Sequence, residues 1–153
     1  MPTLADFLAP ERIVWTKAKE KNAALSQLLG LLNGSAFVKD PRSLEAAIFQ
    51  REVLMSTGVG YGVAIPHAKV PAVEKFMLAI GISDDGVPYP SAVDDQPVRL
   101  ICMIAGPDHE QDGYLRLLSS VMKFVKSEKG RVLSARHPDE ILRVAAQYHV
   151  AAG

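Results

Sequence analysis

The residues with the most chemical promise fall in one short stretch. Gly58, Gly60 and Gly62 alternate ahead of the apolar run Val63-Ala64-Ile65, and Pro66 then delivers His67. Glycine permits backbone conformations and close approaches that a Cβ forbids. Pro66 fixes its own φ and restricts Ile65 before it. A flexible turn therefore leads into a stiff mount ending in an imidazole, a ring whose unperturbed pKa near about 6.5 leaves it ready as a nucleophile at neutral pH. Arg51 stands upstream and could serve as an anion clamp, because a guanidinium stays charged and donates a planar pair of hydrogen bonds to oxyanions. Read alone, His67 is more readily a histidine closing a buried strand, and Arg51 a surface arginine favoured by the dipole of a helix C-terminus.

These residues need elements to hold them. Ile13-Val14-Trp15 reads as a short strand, and Thr16 is expected to cap a helix whose Leu25, Leu28, Leu29 and Leu32 form one apolar stripe. Asn33-Gly34 stops it. Asp40-Pro41 starts a second helix, aspartate accepting the free N–H groups and proline suiting the first helical position. That helix places Leu44, Ala47, Ile48 and Arg51 along one side, with Arg51 near its C-terminus. Gly62 to Ile65 and Phe76 to Ile82 read as buried strands. Asp84 to Pro90 is turn-rich. Val98 to Ala105 is a strand apolar enough to be covered on both faces. A helix from about Gln111 carries Leu115, Leu118, Met122 and Val125 as its expected inward stripe. A last helix begins near Pro138, with Ile141, Leu142, Ala145 and Tyr148 facing inward. Mixed strands and helices without a long linker give one α/β layered domain over residues 1–153.

Composition removes several classes. The chain has 153 residues, 48% hydrophobic and 22% charged, enough for one sizeable core. Lys+Arg 17 balances Asp+Glu 17, so the basic face of a general nucleic-acid binder is not expected. The single cysteine, Cys102, forms no intrachain disulfide and is too little for a thiolate zinc site; a small core residue in a reducing, cytoplasmic setting is its simplest reading. No apolar run approaches the roughly 20 residues of a membrane span, and Met1 to Asp6 lacks signal-peptide character. The glycines lack dinucleotide spacing and a P-loop lysine. His137 and His149 have no partners at metal spacing. Asp84, Asp85, Asp94 and Asp95 read as solvated turn residues, with a calcium or partner role left open. Neither metal nor cofactor is expected.

The segment Arg51-Glu52, then Ser56-Thr57-Gly58-Val59-Gly60-Tyr61-Gly62-Val63-Ala64-Ile65-Pro66-His67, resembles the IIA proteins of the bacterial sugar phosphotransferase system, of the fructose, mannitol and nitrogen-regulatory type. The order of elements fits that family over about residues 10–148. The resemblance implies a single α/β domain of three layers, a mixed β-sheet flanked by helices on both faces. It further implies that His67 receives a phosphoryl group from a histidine phosphocarrier protein and passes it to a IIB protein or domain, or that its phosphorylation state is read by a regulatory target. Arg51 would then face the phosphoryl oxygens. Thr57 and the N–H groups near Gly58 and Gly60 either add neutral donors or only form the turn. Glu52, repelled by an anion, is expected to contact backbone or a partner. Many family members carry a second histidine after the long strand. Here the alignment places Tyr114 there, which donates one hydrogen bond but brings no cation. His109, five residues earlier, either substitutes or is an ordinary loop residue.

Three functions compete on these grounds. The first is a phosphoryl carrier. The second is a regulatory binding module, suggested by Tyr114 and by the lack of an attached IIB or membrane segment in this sequence. The third, a hydrolase or isomerase with His67 as general base, lacks any carboxylate or nucleophile placed to complete it. Whether the chain acts as an enzyme in its own right is left open by the sequence.

Overall fold

The computed structural model describes residues 2–90 and 93–151. After two short 3-10 turns, Leu4–Phe7 and Pro10–Arg12, the elements are β1 (Ile13–Trp15), α1 (Lys21–Asn33), α2 (Pro41–Leu54), β2 (Gly58–Gly60), β3 (Val63–Ala64), β4 (His67–Lys69), β5 (Met77–Val87), β6 (Val98–Gly106), α3 (Gln111–Ser134) and α4 (Pro138–Ala145). The six strands form one mixed sheet in the order β1-β5-β6-β3-β2, with β4 also on β6. β5 and β6 are the long antiparallel centre, while β1 runs parallel to β5.

β3 and β4 lie parallel to β6 in one continuing register, Val63 against Leu100, Ala64 against Ile101 and His67 against Ile104. Pro66 interrupts this edge because it has no N–H to donate. Its carbonyl still accepts the Ile104 N–H at 2.9 Å. The ladder thus passes through the proline and fixes His67 against β6, which is buried at every residue but Arg99.

Strand alternation divides the core between the two faces. Leu78, Ile80, Ile82, Leu100, Cys102 and Ile104 pack on one side beneath α3, α4 and the N-terminal turns. Met77, Ala79, Ile101, Met103 and Ala105 pack on the other beneath α1 and α2. This is the expected three-layer arrangement. Leu25 and Leu32 on α1, and Leu44 and Ile48 on α2, are fully buried. Asp40 caps α2 as expected, accepting the Arg42 N–H at 3.2 Å and the Ser43 N–H at 3.4 Å.

Some expectations need correcting. Thr16 does not cap α1; the cap is Glu20. The Thr16 N–H instead continues the β1 ladder to the Ile82 carbonyl at 2.7 Å, and its hydroxyl donates to Gln27. Position 16 is still strand-like, so the helix starts later. β5 runs past Ile82 through Asp84 and Asp85, where an irregular register and Gly86 at φ 84° absorb the residues that looked like a turn. The inward stripe of α3 is Tyr114, Leu117, Val121, Phe124, Val125 and Val132, whereas Leu115 and Met122 are exposed. Leu118 is only partly buried. Cys102 is buried as expected, and burial pushes its thiol up to about 12. Among the described residues no helix is long and apolar enough to cross a membrane, and no group of His, Cys, Asp and Glu could hold a metal.

Candidate functional site

Arg51 occupies the last turn of α2, which closes with the Met55 N–H on the Arg51 carbonyl at 3.1 Å. His67 opens β4, half-buried. Between them the chain makes the β2–β3 hairpin. Gly60 at φ 92°, Tyr61 at φ 58° and Gly62 at φ 77° turn it. The positive φ of Gly60 favours glycine there, and a Cβ on it would also crowd the exposed Val93 side chain, 2.8 Å from its Cγ1. The hairpin brings the chain back antiparallel, and the Ile65 N–H reaches the Thr57 carbonyl at 3.0 Å.

The two candidate side chains meet. Arg51 Nε donates toward His67 Nε2 at 3.4 Å. His67 Nδ1 lies 3.0 Å from the Ile65 carbonyl oxygen. A carbonyl only accepts, so Nδ1 carries the proton and Nε2 the lone pair. Burial lowers the His67 pKa from the usual 6.5; the bond to Ile65 opposes that shift, and the Arg51 charge adds to it. The ring is therefore neutral at pH 7, with its lone pair held only by a long contact.

Arg51 is positioned through its neighbour. The Glu52 carboxylate is buried, and it accepts the Lys21 ammonium at 2.7 Å, the Thr57 N–H at 3.2 Å, the Thr57 hydroxyl and the Tyr89 hydroxyl at 2.9 Å. Lys21 Nζ also sits 4.5 Å from the centre of the Tyr89 ring. Burial raises the Tyr89 pKa far above its ordinary value. This network joins α1, the end of α2, the entry to β2 and the segment after β5.

A cleft of about 410 Å³ opens over the pair. Arg51, Ser56, Thr57, Gly58 and His67 line it together with the apolar side chains of Met55, Val59, Ile65, Val93, Leu118 and Met122. The sequence candidates divide accordingly. His67, Arg51, Thr57 and Gly58 share the cleft, but the Thr57 N–H and hydroxyl are engaged by Glu52 and so are not available as anion donors. The Gly58 N–H meets Ser56 Oγ at 3.2 Å. Gly60 stands outside the lining, in the hairpin turn. Tyr114 is brought to the site, its ring centre 5.7 Å from that of His67. His109 is not. It is exposed, 3.8 Å from Asp108, and lines a different hollow with Glu110, Gln111, Asp112, Gly113 and Arg116.

A family model described as "Phosphoenolpyruvate-dependent sugar phosphotransferase system, EIIA 2" matches residues 6–148. The chain belongs to this family. It is 33% identical over 129 residues to a fructose-specific EIIA component of Haloferax volcanii, covering 83% of each chain. It is 32% identical to a nitrogen regulatory protein of Bradyrhizobium diazoefficiens, covering 82% of this chain and 81% of that one. A fructose-specific EIIABC component of Bacillus subtilis is 34% identical over 134 residues, and there this chain spans 21% of the relative's length. Among solved structures, the nitrogen regulatory IIA protein of Neisseria meningitidis superposes with a TM-score of 0.83 at 25% identity, covering 93% of this chain and 98% of that one. A mannitol IIA of Escherichia coli, solved in complex with phosphorylated mannitol IIB, superposes with a TM-score of 0.76 at 26% identity, covering 91% and 96%.

Several residues that shape the site were not read from the sequence. The Glu52 partners Lys21 and Tyr89 lie far away along the chain, and no local pattern marks them. Leu118 and Met122 do carry a signal, since they follow Tyr114 at helical i, i+4 spacing, but in sequence an apolar residue on the cleft side looks the same as one in the core. Lys69 carried one too, two residues beyond His67 on the same strand face.

Proposed function

We propose that the protein is the phosphoryl-carrier IIA component of a phosphoenolpyruvate-dependent sugar phosphotransferase system. His67 Nε2 accepts the phosphoryl group from a histidine phosphocarrier protein and passes it to a IIB protein or domain. The observation that carries this reading is an imidazole with one nitrogen committed to a main-chain carbonyl and the other, unprotonated, facing Arg51. In the step, the Nε2 lone pair forms the new N–P bond while the donor's P–N bond breaks and its electron pair stays on the donor imidazole. Each ring keeps its own N–H, so no base is needed. The work left to the protein is alignment and charge neutralisation, and Arg51 supplies a cation for the phosphoryl oxygens. The apolar cleft walls would exclude water once a partner is seated, protecting a labile N–P bond. We place this chemistry in the cytoplasm, where carrier and acceptor act.

Incubation with phosphoenolpyruvate, the general phosphotransferase enzyme and its carrier should give an acid-labile phosphoprotein. His67→Ala should remove the label entirely, and its survival there would reject the assignment. The nitrogen-regulatory relatives support a second reading, in which the phosphate at His67 reverses the binding preference of a target protein. Equal partner binding by bare and phosphorylated protein would dismiss it.

A further inference from the structure

Lys69 shares a face of β4 with His67, while Ala68 between them is buried on the opposite side. Residues two apart on a strand stand about 6.5–7 Å from each other. The Lys69 ammonium lies 4.4 Å from the centre of the Tyr114 ring, whose other neighbour is His67 with ring centres 5.7 Å apart. It also donates to Gln111 Oε1 in the first turn of α3. Both partners are neutral. Among the described residues no carboxylate pairs with Lys69. A lysine head resting on an aromatic face and an amide is held by about 1 kcal/mol of cation–π attraction and an ordinary hydrogen bond. A dianion arriving on the next imidazole is a stronger partner.

We propose that Lys69 is a second cation of the phosphoryl site, parked on Tyr114 and Gln111 while His67 is bare and swinging to the phosphoryl oxygens once Nε2 carries them. The inference rests on the carrier reading above. It gives Tyr114 the role of a resting surface and restores the positive charge that a tyrosine at this position cannot supply. Arg51 reaches His67 from the α2 side and Lys69 from the β4–α3 side, so the two cations flank the phosphoryl group. Four donors would then face its three oxygens, two from the guanidinium and two from the ammonium.

The test uses the full chain as wild type, Lys69→Gln, Lys69→Arg and His67→Ala. Failure of the wild type to label, or labelling of His67→Ala, would remove the carrier reading itself and the proposal with it. With labelling at His67 established, Lys69→Gln should transfer about tenfold more slowly at saturating carrier, and Lys69→Arg should recover most of the rate. The 31P resonance of the purified phosphoprotein gives a readout independent of any partner. The phosphoryl group should titrate at lower pH in wild type and Lys69→Arg than in Lys69→Gln, because a nearby cation favours the dianion. An unchanged 31P titration in Lys69→Gln overturns the proposal whatever the rate does, and in that case a change in KM alone would assign Lys69 to partner docking.

Discussion

At the scale of single residues, the site is one neutral imidazole with its charges arranged around it. Both burial and Arg51 hold the His67 pKa down, so Arg51→Gln should raise it, as followed by NMR of the ring protons. The same variant should slow phosphoryl transfer by about a hundredfold, the scale of losing one transition-state donor. In the wild type the acceptance rate should fall only where the ring protonates, at lower pH than for a free imidazole. Stability has the same sign. The unfolded ring binds its proton near 6.5 and the folded ring at lower pH, so stability falls as the pH drops through that interval and the loss levels off below the folded value. Glu52 has a different task. Glu52→Ala leaves Lys21 unpaired and the Thr57 N–H unsatisfied, and should cost about 2–4 kcal/mol in denaturant unfolding. Glu52→Gln, which keeps most acceptors, should cost less.

At the scale of elements, the 58–69 stretch folds by local rules that sequence can express. Glycine spacing announced a turn, Pro66 the stiff mount and Asp40-Pro41 the start of α2. The three-residue β2 and β4 are too short to show a period of two, so in the sequence the first reads as part of a turn and the second leaves no signal. The stripe of α3 was misread by one residue because the helix has two apolar faces, one on the sheet and one, through Leu118 and Met122, on the cleft. The hairpin tip holds an oddity. Tyr61 is a non-glycine residue in the left-handed region and is well exposed. Asp94 Oδ2 accepts its N–H at 3.1 Å, and Lys129 donates to its carbonyl. Left-handed backbone costs an ordinary L-residue about 1–2 kcal/mol, and asparagine tolerates it better. Tyr61→Asn should therefore raise the unfolding free energy by about 0.5–1 kcal/mol, and a loss of stability would mean the ring makes contacts that matter.

At the scale of the whole molecule, two apolar cores meet at β5 and β6, and the phosphoryl-site candidate sits at the rim where β4, α2 and α3 converge. Patterning sufficed for one α/β layered domain, and the resemblance carried by residues 51–67 for a mixed sheet with helices on both faces. They could not supply the Glu52 network, which exists only once α1, α2 and the segment around Tyr89 have packed together. Cys102 reports on this assembly from its middle. Its thiol is fully buried and pushed up to about 12, so a thiol reagent should modify it only as fast as the domain opens globally, and the rate should follow denaturant along the unfolding limb. Prompt labelling in the native state would show that the sheet breathes locally.

The Ile65 carbonyl has an evolutionary corollary. It belongs to the main chain, so every amino acid at position 65 presents it. A single codon change can blunt the nucleophile or strip its cationic neighbours, yet none can delete the oxygen that chooses between the ring's two nitrogens. On the carrier reading proposed above, the path of the backbone would choose which isomer of phosphohistidine forms, and drift in the side chains would change how fast the relay runs far more easily than where on the ring the cargo rides.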